Sequence, residues 1–177
     1  MYKIIKRLFD FVMALLALTV LSPLLIPVII GLLLTGEHYV FYFQERIGKG
    51  GKAFDIWKFA TMLKNSPNIG TGTLTTRNDP RVLPMGKFLR KTKINELPQL
   101  INILIGNMSI IGPRPLVKDT YDLYADDVKE CISKVTPGLS GIGSVIFRDE
   151  EYYVSKAKDP VGFSRQYIQP QKGELEK

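Results

Sequence analysis

At 177 residues and 20.0 kDa, the chain is long enough for one domain with a real core plus an appendage. The single cysteine, Cys131, excludes an internal disulfide and a cysteine-rich zinc site, and the single histidine, His38, leaves little from which to build a catalytic triad or a multi-histidine metal site. A net charge of +7, with pI near 9.4, narrows the partners to nucleic acid, an anionic membrane surface or a phosphorylated substrate.

The N-terminus decides among these. Lys3, Lys6 and Arg7 precede a run without charge from Phe11 to Gly36. That is about 26 residues, enough to cross a bilayer as one helix. The run is too long for a signal peptide, and no small-residue cleavage site follows. Pro23 removes one backbone N–H near its middle, so a kink is expected there. The Ser22 hydroxyl can satisfy the carbonyl that Pro23 leaves open, where an unpaired group in lipid is costly. Cations flank both ends, with Arg46, Lys49 and Lys52 on the far side. Positive residues favour the cytoplasmic face. Two topologies follow: a kinked span, or a re-entrant segment that enters one leaflet, breaks at Ser22-Pro23 and returns.

Residues 37–147 read as a small, mainly helical globular part with a β-hairpin. Tyr39–Gln44 is β-branched and aromatic, Gly48–Gly51 is a turn, and Phe54–Phe59 alternates as the partner strand. Lys58 lies on that second strand, where an edge-strand charge that blunts aggregation is the alternative to a functional role. Asn65–Asn78, rich in Gly, Thr, Asn and Pro, reads as a long loop. Asp79 is expected to cap a short helix running to Arg90, with Pro80 at its first position.

The stretch Lys93–Leu100 then reads as a helix start. Asn95 is a good N-cap, Glu96 suits the positive end of the helix dipole, and Pro98 is tolerated in a first turn. Leu97, Leu100, Ile101 and Leu104 supply one buried face. An acidic, polar helix start preceded by Arg90, Lys91 and Lys93 is also a candidate phosphate or metal–phosphate site. Farther on, Pro113 and Pro115 hold Arg114 in an extended, rigid loop. A fixed guanidinium suits bidentate recognition of phosphate or carboxylate, and the alternative is an arginine bonding local carbonyls. Leu123–Val135 reads as a mixed-charge helix and Thr136–Gly143 as a glycine-rich turn without a dinucleotide fingerprint. Residues 148–177 read as a polar tail, partly helical at most.

Taken together, these stretches resemble the bacterial sugar transferases known as monotopic phosphoglycosyl transferases. The resemblance is carried, in order, by the basic–apolar N-terminus with Ser22-Pro23, Gln44-x-Arg46-x-Gly48, Lys58-Phe59-x-Thr61-Met62, Asp79-Pro80-Arg81, Asn95-Glu96-Leu97-Pro98-Gln99-Leu100, Met108-Ser109-x-x-Gly112-Pro113-Arg114-Pro115 and Thr136-Pro137-Gly138-x-x-Gly141. It covers roughly residues 1–147 and is specific as a combination.

The resemblance implies an α+β protein with a re-entrant helix–break–helix anchor over 1–36, a catalytic-type domain over 37–147 and a tail over 148–177 shorter than the family's. It implies a bacterial inner-membrane location with the globular part facing the cytoplasm. The implied reaction moves a sugar-1-phosphate from a nucleotide diphosphate sugar, expected to be a UDP-sugar, to polyprenyl phosphate. Mg²⁺ is the implied cofactor. Membrane lipids and downstream glycosyltransferases are the implied further partners; nucleic acid is not one. In the family an Asp–Glu pair does the chemistry, with the Asp as nucleophile.

Carried over by position, Glu96 is the acidic group and Mg²⁺ contact, Arg90 and Arg114 hold phosphate with Pro113 beside them, and Lys58 assists. Asn95 stands where the family has its nucleophilic Asp, Asn107 where it usually has Asp, and Ala60 where it usually has a basic residue. An amide is a very poor nucleophile. Three routes stay open: Glu96 attacks, Asn95 positions the substrates for direct transfer, or the chain is a catalytically impaired membrane-bound paralogue that binds sugar nucleotide or a partner enzyme.

Overall fold

The computed structural model describes residues 1–70, 72, 74–76 and 78–177. The architecture is α+β, and the chain folds into two compact units. One is built from Met1–Gln44, Ile56–Thr73 and Asn78–Gly106, the other from Glu45–Asp55, Leu74–Arg77 and Asn107–Lys177.

The first unit opens with helix α1, Tyr2–Leu34, whose length of 33 residues and apolar 18-residue window of mean hydropathy 2.5 suffice to cross a membrane. The helix continues through Pro23 and Pro27. Pro23 has no N–H to offer the Thr19 carbonyl one turn earlier, and the Ser22 hydroxyl donates to that same carbonyl at 2.8 Å. The expected rescue by Ser22 is therefore present. Leu15, Leu16, Val20, Leu24 and Ile26 are exposed. Val28 and Leu32 instead join Phe59 and Leu89 in a buried cluster, with Leu25, Ile29, Phe41, Met85 and Ile94 packed around it.

Strands β1 (Phe41–Ile47) and β2 (Ala53–Phe59) form the expected hairpin. Its turn needs left-handed backbone, which Gly50 and Gly51 supply at φ 70°. The Trp57 ring meets Phe41 and Phe43 edge-on. In the long loop, Ser66–Asn68 forms a 3₁₀ turn; Thr71, Thr73 and Arg77 of that loop lie outside the described residues.

Helix α2 spans Pro84–Lys91. It begins four residues later than the sequence pattern suggests, because Asp79 does not cap it. The Asp79 carboxylate instead accepts from the Arg81 backbone and guanidinium and forms a buried pair at 2.6 Å. Gly86 on α2 crosses the Thr61 backbone so closely that a Cβ there would lie 2.1 Å from the Thr61 carbonyl oxygen.

Lys93, at φ 60°, turns the chain into a 3₁₀ turn, Ile94–Glu96, which leads into α3, Gln99–Ile105. Asn95 is thus not the N-cap. It sits inside the 3₁₀ turn, 6% exposed, and makes no capping bond. The N-cap reading fails because helical winding starts earlier, with Glu96 N–H on Lys93 O and Leu97 N–H on Ile94 O. Pro98 is accommodated at the junction, as expected.

In the second unit, β3 (Ser109–Ile111) and β4 (Gly138–Ser140) pair in parallel, with Ser109 opposite Gly138 and Ile111 opposite Ser140. Parallel strands need a long crossover, here carrying α4 (Lys118–Tyr121) and α5 (Asp126–Ser133). The segment read as a glycine-rich turn therefore holds a strand and the start of α6, Ile142–Ile146. The tail is mostly helical, contrary to the sequence reading. It forms α7 (Glu150–Lys156), α8 (Pro160–Phe163), a π-helical turn (Ser164–Ile168) and α9 (Gln169–Glu176). Val154 and Ile168 are its buried apolar contacts, and Gly173 lets α9 approach the Tyr124 ring.

Candidate active site

The predicted site residues fall into two groups, one in each unit. In the first unit, Arg90 ends α2 and Glu96 closes the following 3₁₀ turn. The Lys93 peptide links them: its N–H donates to Arg90 O at 3.2 Å and its carbonyl accepts from Glu96 N–H at 3.1 Å. The Arg90 guanidinium also approaches the Met62 sulfur at 3.8 Å. Arg90 therefore sits against the continuation of the strand that carries Lys58. That strand is tied to α3 by Asn102, whose fully buried side chain accepts from the Trp57 N–H at 2.9 Å. Lys58 follows Trp57 directly and is half-buried, so its backbone is fixed relative to α3.

Asn95 and Gln99 are the unusual pair here. They are 6% and 2% exposed, yet Asn95 Oδ1 and Gln99 Nε2 have no hydrogen-bond partner among the described residues. Leaving a buried amide atom unpaired costs about 1–3 kcal/mol, and such orphans call for an explanation. Glu96 lies between them in sequence and is half-buried. Among the described residues, no three His, Cys, Asp or Glu side chains cluster to hold a metal by themselves.

Asp79-Pro80-Arg81 has a different task. Arg81 is 3% exposed, and Nη1 donates to the carbonyls of Ser66, Ile69 and Gly72. Asp79 holds the guanidinium in its charged form and pushes its pKa up against the opposing effect of burial. The motif gathers the described part of the long loop around one cation. Nearby, Tyr39 donates its hydroxyl to the Met62 carbonyl at 2.8 Å, and burial with the Glu37 charge pushes its pKa up to about 12.

In the second unit, Gly112-Pro113-Arg114-Pro115 and Thr136-Pro137-Gly138-x-x-Gly141 form one structure. Gly138 N–H donates to Pro113 O at 2.8 Å, and Gly112 N–H to Ser140 O at 3.0 Å. A Cβ on Gly138 would lie 2.1 Å from the Gly112 nitrogen. Both motifs need glycine because two backbones touch. Arg46 donates to Pro115 O at 3.2 Å, and Ile47 N–H to Leu116 O at 2.8 Å. The hairpin's Gln44-x-Arg46-x-Gly48 motif thereby braces the Arg114 loop. A small open cleft lies there, lined by Ile47, Pro113, Arg114, Tyr121 and Pro137 among others.

Sequence reasoning missed three participants. Asn102 carried a signal, a polar residue inside the apolar run Ile101–Leu104. Arg46 stands in the sequence as a flanking cation and in a family motif, with nothing there to show that it braces the Arg114 loop. Glu176, whose carboxylate accepts from the Gly143 N–H at 3.2 Å, stood in an unremarkable polar tail.

The sequence model of the bacterial sugar transferase family matches residues 1–173. The chain is 38% identical to the exopolysaccharide production protein ExoY of Sinorhizobium fredii, covering 93% of this chain and 76% of that protein. It is 35% identical to the undecaprenyl-phosphate galactose phosphotransferase of Salmonella typhimurium, over 85% of this chain and 34% of that protein. It is 37% identical to the UDP-glucose:undecaprenyl-phosphate glucose-1-phosphate transferase of Escherichia coli, over 94% of this chain and 36% of that protein. The chain thus spans about three quarters of ExoY and about a third of the two named transferases. With a family match across nearly its whole length, this chain belongs to the bacterial sugar transferase family.

Proposed function

We propose that this protein transfers a sugar-1-phosphate from a nucleotide diphosphate sugar, a UDP-sugar by analogy with its named relatives, to undecaprenyl or a similar polyprenyl phosphate. The product would start a lipid-linked glycan for exopolysaccharide, capsule, O-antigen or glycoprotein. The family match over residues 1–173, together with relatives named for this chemistry, carries the reading. In the reaction, the bond between the sugar-bearing phosphorus and the nucleoside monophosphate breaks. A bond to the lipid phosphate oxygen forms, and the nucleoside monophosphate leaves.

Arg90 and Arg114 would each bind phosphate oxygens, Pro113 would keep the Arg114 loop rigid, and Lys58 would offset phosphate charge. Mg²⁺ fits as an ion held mainly by the donor's diphosphate. Magnesium sites of this kind use one or two protein oxygens, and Glu96 and the unpartnered Asn95 Oδ1 are on consecutive residues. Bound there, the ion would neutralise diphosphate charge. Two routes fit an amide at position 95: attack by Glu96, or direct attack by the lipid phosphate with Asn95 positioning it.

A re-entrant anchor, bent at Ser22-Pro23, is part of the proposal, with the globular part on the cytoplasmic side of the inner membrane. Its support is that both ends of α1 are held by elements of one unit. Arg7 bonds the end of α3, and Val28 and Leu32 pack on Phe59 and Leu89. In a straight span, positions 7 and 32 would lie roughly 37 Å apart along the axis, on opposite sides of a hydrocarbon core about 30 Å thick.

Transfer of radiolabel from UDP-sugars to polyprenyl phosphate in nanodiscs tests the activity, and no transfer from any common UDP-sugar overturns it. Mass spectrometry of protein incubated with donor alone separates the routes: a sugar-phosphate adduct on Glu96 means two steps, and unmodified protein that still transfers means direct attack. Asn95 also motivates the impaired-paralogue reading. A silent protein that gains transfer on Asn95→Asp would establish that reading, and equal activity before and after would reject it.

A further inference from the structure

Helix α9 brings a carboxylate to the Arg114 loop. Glu176 Oε1 accepts from the Gly143 N–H at 3.2 Å. The Arg114 backbone N–H also donates to this carboxylate, and the charges of Lys172 and Arg114 attract it. The seat depends on missing side chains. A Cβ on Gly141 would stand 3.2 Å from both carboxylate oxygens, and one on Gly143 would stand 2.6 Å from Oε1. A third segment closes the seat, since the Gly112 carbonyl would lie 2.4 Å from a Gly141 Cβ. Thus the two glycine motifs and Arg114 converge on one acidic group.

The seat compensates that group incompletely. Burial pushes the Glu176 carboxyl up, and the two N–H donors with the two cations only partly offset this. A phosphoryl group offers more charge and more acceptor oxygens to the same donors. The last turn of α9 is also lightly held. Its end is fixed by the ion pair of Lys177 with Asp127, both well exposed, and by the weak Cys131 thiol donor 3.0 Å from the Lys177 carbonyl; neither contributes much.

We propose that Glu176 occupies the Arg114 site as a tethered substitute for a phosphoryl group, so that the end of α9 competes with substrate phosphate for that site. This inference rests on the reading that Arg114 binds substrate phosphate. The phosphate belongs either to the nucleotide donor or to the lipid acceptor, which share this chemistry. Release of Glu176 frees the Arg114 and Gly143 N–H groups and uncovers the guanidinium charge.

The test uses the full chain in two arms: UDP binding in nanodiscs without polyprenyl phosphate, and binding of radiolabelled polyprenyl phosphate in detergent micelles. Glu176→Gln and Glu176→Ala are each expected to lower the apparent Kd about tenfold in one arm, the gain when an open form held at about a tenth of the population becomes dominant. The arm that responds identifies the phosphate. Gln keeps the size and acceptor oxygen, so it carries the test where Ala lowers the thermal midpoint. Unchanged or weaker binding in both arms overturns the proposal and makes Glu176 an anchor for α9. Arg114→Ala, measured beside them, separates the two failures. Lost binding preserves the Arg114 reading without the competitor, and unchanged binding removes that reading as well.

Discussion

The Arg7 guanidinium, near the start of α1, donates to the Leu104 carbonyl over 2.7 Å, with a second bond to the Ile103 carbonyl. These are among the last carbonyls of α3, which lack i+4 partners within the helix; the Ile103 carbonyl also accepts from the Gly106 cap N–H at 3.2 Å. A cation there also suits the negative end of the helix dipole. Gly106, at φ 99°, completes the terminus and leaves room for the guanidinium. The helix that follows Asn95 and Glu96 is therefore finished by a side chain from the long apolar helix α1.

Arg7→Ala is expected to destabilise the protein by about 2 kcal/mol, the range for hydrogen bonds to a charged group. Arg7→Lys should lose about half of that, since an ammonium lacks the planar fork. Denaturant unfolding in detergent measures both. Equal stability of all three proteins would show that Arg7 does not cap α3.

Gly86→Ala should cost about 3 kcal/mol or more, because the new Cβ meets backbone that cannot step aside. Gly138→Ala should do the same through Gly112. Gly50→Ala is the control: a Cβ there meets nothing within 4 Å, and its cost is confined to the left-handed backbone. Thermal unfolding of the three variants should rank Gly50→Ala as the mildest.

Arg81→Ala leaves Asp79 buried without its cation and the Ser66, Ile69 and Gly72 carbonyls without their shared donor. Breaking one side of a buried pair costs about 3–5 kcal/mol. Limited proteolysis should show new cleavage around residues 66–72. Protection equal to that of the unmodified protein would remove Arg81 as the organiser of this loop.

Tyr39 introduces a pH dependence. Its folded pKa of about 12 exceeds the unfolded value of 10.0, so the unfolded chain loses the proton first as pH rises. The contribution is fully present below pH 10 and is lost through pH 12. The thermal midpoint of the unmodified protein should fall more steeply over that window than that of Tyr39→Phe. Parallel curves would show that the hydroxyl's bond to Met62 is not maintained.

Much of this architecture is legible in the residues themselves. Alternating aromatics and a Lys-Gly-Gly turn specify the hairpin, and Pro113 and Pro115 mark the rigid Arg114 loop. Local pattern fails where tertiary geometry decides. Asn95 has every property of an N-cap, but the left-handed turn at Lys93 starts the winding earlier. Asp79 has a cap's side chain and spends it on Arg81, two residues away. The three-residue strands β3 and β4 are too short to show a period, and their pairing depends on glycine contacts between distant segments. The helical tail is hidden because few apolar residues, Val154 and Ile168 among them, are buried along it. Glu176 has no local signal, since its seat is made by Gly141, Gly143 and Arg114.

Ser22 has a mechanical consequence for α1. Its hydroxyl swings about a single side-chain torsion, so it can follow the Thr19 carbonyl as the angle at Pro23 opens or closes. In the proposed re-entrant anchor, this bond would let the bend adjust to thin or thick bilayers while the oxygen stays shielded from the acyl chains.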